Sequence, residues 1–200
     1  MLLGVAPAFL AAHAQEKGRD ADKVQAIVNS MAARYSEADR DYAERLKAAK
    51  PGTALAVVGS EGIADPAARR EARATLNTTL KVIDDGLKRR ERIPQDAIAE
   101  VRATKADDKT KEAVSAAIRE AAAGPAPLSV QLMKAMRAFL AKALEVVTYV
   151  DRHAAGVGLK EGRLHFSDKA VSTRFDALQS ELSALYQEIQ RLSQKAKAGG

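Results

Sequence analysis

The chain has no cysteine and no tryptophan, and only four tyrosines and four phenylalanines among 200 residues. Without cysteine there is no disulfide, no thiolate zinc site, no cysteine nucleophile and no thiol redox centre. Twelve glycines and six prolines are too few for a collagen-like or low-complexity chain. No apolar run reaches the roughly 20 residues that a membrane-spanning helix needs. Charge of one sign is not in large excess either: 32 Lys and Arg stand against 26 Asp and Glu, a net +6. Most of that excess lies in residues 126–200, with 11 basic and 7 acidic side chains. Nucleic-acid surfaces carry a clustered basic stripe, which is missing here, so nucleic acid is disfavoured as a partner. The one dense run, Lys88-Arg89-Arg90-Glu91-Arg92, complements the dipole at the end of an expected helix.

What is present is 46% hydrophobic and 29% charged residues, a balance suited to a folded domain. A chain of this length buries roughly 70% of its extended surface without staples. Residues 1–14 are uncharged, with an apolar run from Leu2 to Ala12, and Ala12-His13-Ala14 fits the small-x-small rule of a signal-peptide cleavage site. The expectation is a signal peptide over 1–14, a single domain over 15–200, and export to the periplasm as a soluble protein. No Lys or Arg precedes the apolar run, so the true start could lie upstream.

Helical periodicity dominates the remainder. Val24, Val28, Met31, Tyr35, Ala38, Tyr42 and Leu46 repeat at three- and four-residue spacings, predicting a helix capped by Asp20 and running to Ala49. Residues 51–64 read as an unusually apolar loop, partly packed on the bundle. Asp65-Pro66 is a cap followed by proline at the first helical position, and Ala72, Leu76, Leu80, Ile83 and Leu87 follow; Ile93-Pro94 is expected to break this helix. A third segment has a face at Ile98 and Val101, then Val114, Ala117, Ile118 and Ala121 out of phase with it, so a kink or break is expected near Lys105–Asp108. The fourth helix, about Ser129 to Ala154, is the most apolar. The fifth is expected to start at the Ser167 cap, with a staple between Phe166 and Val171. Its face, Val171, Phe175, Leu178, Leu182, Leu185, Ile189 and Leu192, reads as intramolecular core, or else as a seam for a partner helix. Between the last two helices, Val157 and Leu159 alternate against Leu164 and Phe166 around Lys160-Glu161-Gly162, predicting a β-hairpin with Gly162 at positive φ. A lone hairpin is marginal, so it must lean on a helix end or on residues 51–64. The fold class is therefore all-α, an antiparallel bundle of long helices with a small β-hairpin between the last two.

Ile93-Pro-Gln-Asp96, Gly124-Pro-Ala-Pro-Leu128, Tyr149, the glycine-turn hairpin closing on Phe166 and the final heptad helix follow one another in order. Over roughly residues 93–185 this resembles the YiaF-type bacterial envelope lipoproteins, a helical family of unknown function. The resemblance implies an exported α-helical domain and no particular activity. That family carries a lipobox cysteine and this chain has none, so lipid anchoring is not implied.

The chain offers little reactive chemistry. His153 and His165 bracket the hairpin with Asp151, Glu161 and Asp168 nearby; imidazole and carboxylate suit zinc or nickel. His153, His165, Glu161 and Asp151 are therefore weak metal candidates, against the plainer reading of solvated helix-end and strand residues. There is no G-x-S-x-G elbow, and Gly59-Ser-Glu-Gly62 lacks the Lys-Ser/Thr of a phosphate loop. Asp84-Asp85 and Asp107-Asp108 are neighbours about 100° apart on a helix, so neither pair converges on a substrate. No catalytic residue and no cofactor is expected. The leading expectation is a non-enzymatic protein that interacts with an unknown protein partner in the cell envelope. Alternatives are a small or lipidic ligand held between helices, and a His-carboxylate metal protein or enzyme. The oligomeric state is open.

Overall fold

The computed structural model describes residues 18–198. The expected signal peptide over 1–14 lies outside the described residues. Six α-helices and one hairpin are described: α1 Gly18–Ala49, α2 Pro51–Val58, a 3-10 turn at Glu61–Ala64, α3 Pro66–Ala103, α4 Asp108–Ala123, α5 Leu128–Arg152, a second 3-10 turn at Ala154–Gly156, β1 Val157–Lys160, β2 Arg163–Phe166, and α6 Lys169–Ala198. The all-α class with a small hairpin between the last two helices is thus what the chain adopts.

The described chain divides into two compact units. The first comprises 18–41 and 86–127, the second 42–85 and 128–198. The divisions fall inside α1 and α3, so each unit takes part of both helices.

In the first unit, Val24, Ala97, Val101, Val114 and Ile118 form a buried cluster, flanked by Ile27, Val28, Met31, Ile98 and Ala106. Ion pairs run beside it between α1 and α3: Arg34–Glu100 at 2.7 Å, Arg89–Glu37 at 2.9 Å and Arg90–Asp39. Residue 34 meets residue 100 while 37 and 39 meet 89 and 90, so these stretches are antiparallel. The Arg90 guanidinium lies 5.7 Å from the Tyr35 ring centre, and burial holds the Tyr35 hydroxyl above its ordinary pKa.

Two expectations change here and one holds. The helix does not break at Ile93-Pro94: α3 runs through Pro94 to Ala103. A helix-interior proline costs about 3 kcal/mol, but Ile93, Pro94, Ala97 and Val101 are all buried, and that tertiary contact outweighs the local cost. The break expected near Lys105–Asp108 is present at Thr104–Asp107, and the phase shift marks two helices. Asp20 does not cap α1; it sits in the first turn, 3.3 Å from Lys23 Nζ.

Asp107 caps α4. Its carboxylate accepts the Thr110 backbone N–H at 2.9 Å and the Thr110 hydroxyl at 2.8 Å. These bonds favour the ionised form and hold Asp107 below the usual carboxylate range. The folded pKa is then lower than the unfolded one. The cap's contribution is complete above the unfolded value of about 3.9 and disappears as pH falls through the folded value. Asp107→Ser keeps a capping oxygen that does not titrate. Its helical circular dichroism, followed from about pH 5 downward, is expected to fall less steeply than that of the wild type.

The second unit is built around α5 and α6. Tyr149 OH donates to the Val171 carbonyl (3.2 Å), Arg174 pairs with Glu145 (3.4 Å) and Lys142 with Glu181 (2.6 Å), and Phe139 and Tyr186 lie 6.0 Å apart. This order makes α5 and α6 antiparallel. Met133, Leu140, Ala143, Val146, Val147 and Val150 of α5 are buried, as are Phe175, Leu178, Leu182 and Leu192 of α6. Within this unit the α6 heptad face is therefore intramolecular core. Lys142 is raised above its ordinary pKa by its hydrogen bonds to Glu145 and Glu181.

Residues 51–64 are not a loop. Lys50 takes a left-handed φ of 48°, ending α1, and Pro51 opens α2 at the first helical position. Ala54, Val58 and Ile63 are buried, and Gln179 of α6 donates to the Val58 carbonyl at 3.2 Å. The expected packing of this segment holds, as helix and 3-10 turn. Asp65 caps α3 as expected, accepting the Ala67 N–H at 2.9 Å.

The cap of α6 is Asp168 rather than Ser167: its carboxylate accepts from the Ala170 N–H at 2.7 Å. Ser167 instead closes the hairpin base, donating its N–H to the Gly156 carbonyl at 2.8 Å. That approach is close enough that a Cβ on Gly156 would lie 2.5 Å from Ser167 Oγ. With the helix starting one residue later, Phe166 does not staple to Val171 but stacks on Phe175 at 4.9 Å.

Candidate functional site

The hairpin end of the second unit gathers most of the side chains singled out above. β1 and β2 pair antiparallel, with Val157 opposite Phe166, Gly158 opposite His165, Leu159 opposite Leu164 and Lys160 opposite Arg163. Glu161 (φ 54°) and Gly162 (φ 75°) make the two-residue turn; both positive φ values suit the twist of a hairpin. Glycine takes that conformation freely, whereas Glu161 does so at a cost of about 1–2 kcal/mol.

Side chains alternate across the hairpin. One face carries Val157, Leu159, Leu164 and Phe166. Phe166 is buried against Phe175 of α6, and both strands lie on the 3-10 turn Glu61–Ala64. Leu159, near the tip, remains 55% exposed. The other face carries exposed Lys160, Arg163 and His165. Lys160 and Arg163 are directly opposite like charges, an unfavourable pairing, and neither forms an ion pair among the described residues.

Two clefts open at this end. One, of about 240 Å³, is lined by Arg152, His153, Ala155, Gly156, Ser167, Asp168 and Val171. The other, of about 510 Å³, is bounded by Glu61, Gly62, Ala64, Asp65, Gly158 and Leu159. The second is an apolar floor of Gly62, Ala64, Gly158 and Leu159 with carboxylates from Glu61 and Asp65.

The four metal candidates go to different places. Asp151 is bound by two arginines, Arg69 Nε at 2.5 Å and Arg73. Arg69 is 2% exposed, and its Nη1 also donates to the Ile63 and Ala64 carbonyls at 2.8 and 2.9 Å. A buried guanidinium with this many acceptors is a structural tie between α3, α5 and the turn beneath the hairpin. His153 ends α5 with its ring 4.6 Å from Tyr149. His165 is exposed on β2, and Glu161 is exposed in the turn. Among the described residues, no three His, Asp or Glu side chains come together as metal ligands.

Reasoning from the sequence found the hairpin and offered a helix end or residues 51–64 as its support; the strands lie on the turn Glu61–Ala64, and β2 also on α6. It missed the Arg69–Asp151–Arg73 cluster, whose members are 82 and 78 residues apart, and it did not separate Leu159 from the buried members of its face. Position gave no signal, because Leu159 and its cross-strand partner Leu164 are equally near the turn.

Compared with protein-family models, curated proteins and solved structures, the chain matches none. No helix among the described residues is long and apolar enough to cross a membrane.

Proposed function

We propose that the chain is a non-enzymatic interaction protein of the bacterial cell envelope and that the hairpin end of its second unit is the contact surface. The observation that carries this reading is Leu159: a large apolar side chain, more than half exposed, beside an open cleft with an apolar floor. A single exposed leucine is ordinary on a protein surface. Here it stands on a strained turn, next to two cations without carboxylate partners. Features that cost local stability are kept where function requires them. The clustered Asp151 carboxylate, held between two arginines, supports a structural rather than a reactive role for this end. Export is part of the proposal, supported by the apolar run Leu2–Ala12 and the Ala12-His13-Ala14 pattern.

A photo-crosslinking residue at position 159, introduced in cells of the native host, tests both parts. A discrete covalent adduct is expected, and its peptides should include a mature N-terminus at Gln15. The absence of any adduct at 159, with adducts no more frequent than at an exposed α4 position such as Glu120, would remove the hairpin surface. A chain still carrying residues 1–14 would remove the export.

A further inference from the structure

Backbone hydrogen bonding leaves one edge of the hairpin open. The Ser167 N–H meets the Gly156 carbonyl opposite it, and in an antiparallel ladder hydrogen-bonded pairs alternate with unbonded ones. Gly158–His165 and Lys160–Arg163 are therefore bonded pairs, whereas Val157 and Leu159 on β1 turn their backbone groups away from β2. Val157 gives its N–H to the Ala154 carbonyl. The Val157 carbonyl and both backbone groups of Leu159 remain without a partner among the described residues. β2 packs on α6, but β1 borders the larger cleft, which no β2 residue lines.

An unpaired row of this kind is a template for another strand, and adding a strand to an exposed edge is a general mode of peptide recognition. We infer that β1 receives an extended segment of a partner protein as a third strand, in which apolar and acidic side chains alternate. This rests on the reading of the hairpin end as a contact surface and names the chemistry of its partner.

The alternation follows from the two faces of the strand. In antiparallel pairing, a residue opposite Leu159 exchanges both backbone bonds with it and puts its side chain on the same face. That side chain enters the cleft of about 510 Å³, over Gly62 and Ala64. The floor is apolar, and the Glu61 and Asp65 carboxylates at its border repel an acid, so an apolar residue belongs there. The next residue falls on the outer face, opposite Lys160. Lys160 faces Arg163 and has no carboxylate partner among the described residues; an acid at this place relieves the like-charge pair. The outer face beside the edge is open, since a Cβ on Gly158 would meet nothing within 4 Å. Leu159 and Lys160, on opposite faces, are thus met by successive residues of one strand. A second copy of this chain, pairing through its own β1 with Leu159 against Leu159, would set Gly158 opposite Lys160 and leave the cation unanswered. The free row is short, so the contact is weak and its selectivity comes from the side chains.

The probe is a synthetic peptide of about seven residues, the length of an ordinary strand, capped at both ends, with valine and glutamate alternating. A second peptide carries lysine for glutamate. A third keeps every side chain but has N-methyl groups on its valine nitrogens, which removes the donors on one edge. Each is titrated into the isotope-labelled full chain, and the amide resonances are followed. The valine–glutamate peptide should move the resonances of 157–160 most. The N-methylated peptide should not bind. The lysine peptide should bind about fivefold more weakly or worse, the effect of setting like for opposite charge across a strand pair. Lys160→Glu should reverse that preference. Lys160 is exposed, an unchanged melting curve confirms that the variant folds, and the lysine peptide makes the same charge test on the unaltered chain.

A chain that binds none of the peptides, or binds the N-methylated one equally well, overturns the strand pairing. If position 159 still crosslinks in cells, the contact surface then stands on side chains alone. Equal affinity for the glutamate and lysine peptides overturns the acidic class of partner. Shifts at 157–160 that arise in the chain alone as its concentration rises assign the edge to a second copy and overturn the inference. Binding of the valine–glutamate peptide without any crosslink at 159 in cells keeps the edge and removes the proposed contact surface.

Discussion

Arg69→Met is expected to destabilise the protein by about 3–5 kcal/mol, the range for removing one partner of a buried ion pair. Methionine fills much of the arginine's volume, so the loss is electrostatic rather than a cavity. Arg69 Nε and Nη1 together hold the Asp151 carboxylate and two backbone carbonyls, those of Ile63 and Ala64. All three acceptors lose this donor at once. Arg73 remains on Asp151, and it limits the damage to the charge itself. The two carbonyls have no such substitute from this pair. Arg73→Met should therefore cost less, because its side chain is 39% exposed and exposed pairs contribute at most about 1 kcal/mol. Urea midpoints for the two variants and for Asp151→Asn make the comparison. Equal losses for Arg69→Met and Arg73→Met would mean that the carbonyl contacts carry nothing. The Arg69 variant should also loosen the hairpin, since the turn it ties down is the one beneath β1 and β2. Faster amide exchange at Leu159 and Leu164 would record that.

Leu178→Ala is the second large effect, expected at about 2–5 kcal/mol, the range for emptying a leucine site in a core. Leu178 is 1% exposed and sits in the middle of the α6 face that lies along α5. Leu185, one heptad further on, is only partly buried, and Leu185→Ala should cost clearly less. The two leucines are indistinguishable by spacing. Their difference under urea measures how the α6 stripe is divided between core and surface. If both cost the same small amount, the stripe is not core and the α5–α6 pairing described above is wrong.

The helices were legible wherever one local pattern was enough. Seven apolar residues of α6 at alternating three- and four-residue steps name their own face. The hairpin is written in a two-residue period and a glycine, and Asp65-Pro66 is a helix start whatever lies elsewhere. Reading failed where a distant contact overrode a local preference. Pro94 breaks an isolated helix, but residues from α1 and α4 are packed on the stripe that it interrupts. Pro51-Gly52 reads as a stop, yet the same proline is a sound first residue for the helix that follows, and only the burial of Ala54 and Val58 decides between the two. Ser167 and Asp168 are both good caps; Ser167 is drawn away by the Gly156 carbonyl. At the candidate site the same division holds. The hairpin residues lie within one short stretch and were found. Arg69 and Arg73 reach Asp151 from 82 and 78 residues away, and no spacing in the sequence announces that meeting.

The division of the chain carries a consequence for synthesis. Val24 lies in the cluster with Ala97, Val101, Val114 and Ile118, and the whole segment 42–85 belongs to the other unit. The part of α1 around Val24 has no cover in this unit until residues 97–118 are present. Joining α1 to this cluster closes a loop of more than 70 residues, whereas α3 and α4 meet across the short break at 104–107. Closing long loops is a slow step in folding. The α3–α4 contacts are therefore expected to form first, and Val24 to be buried on them afterwards.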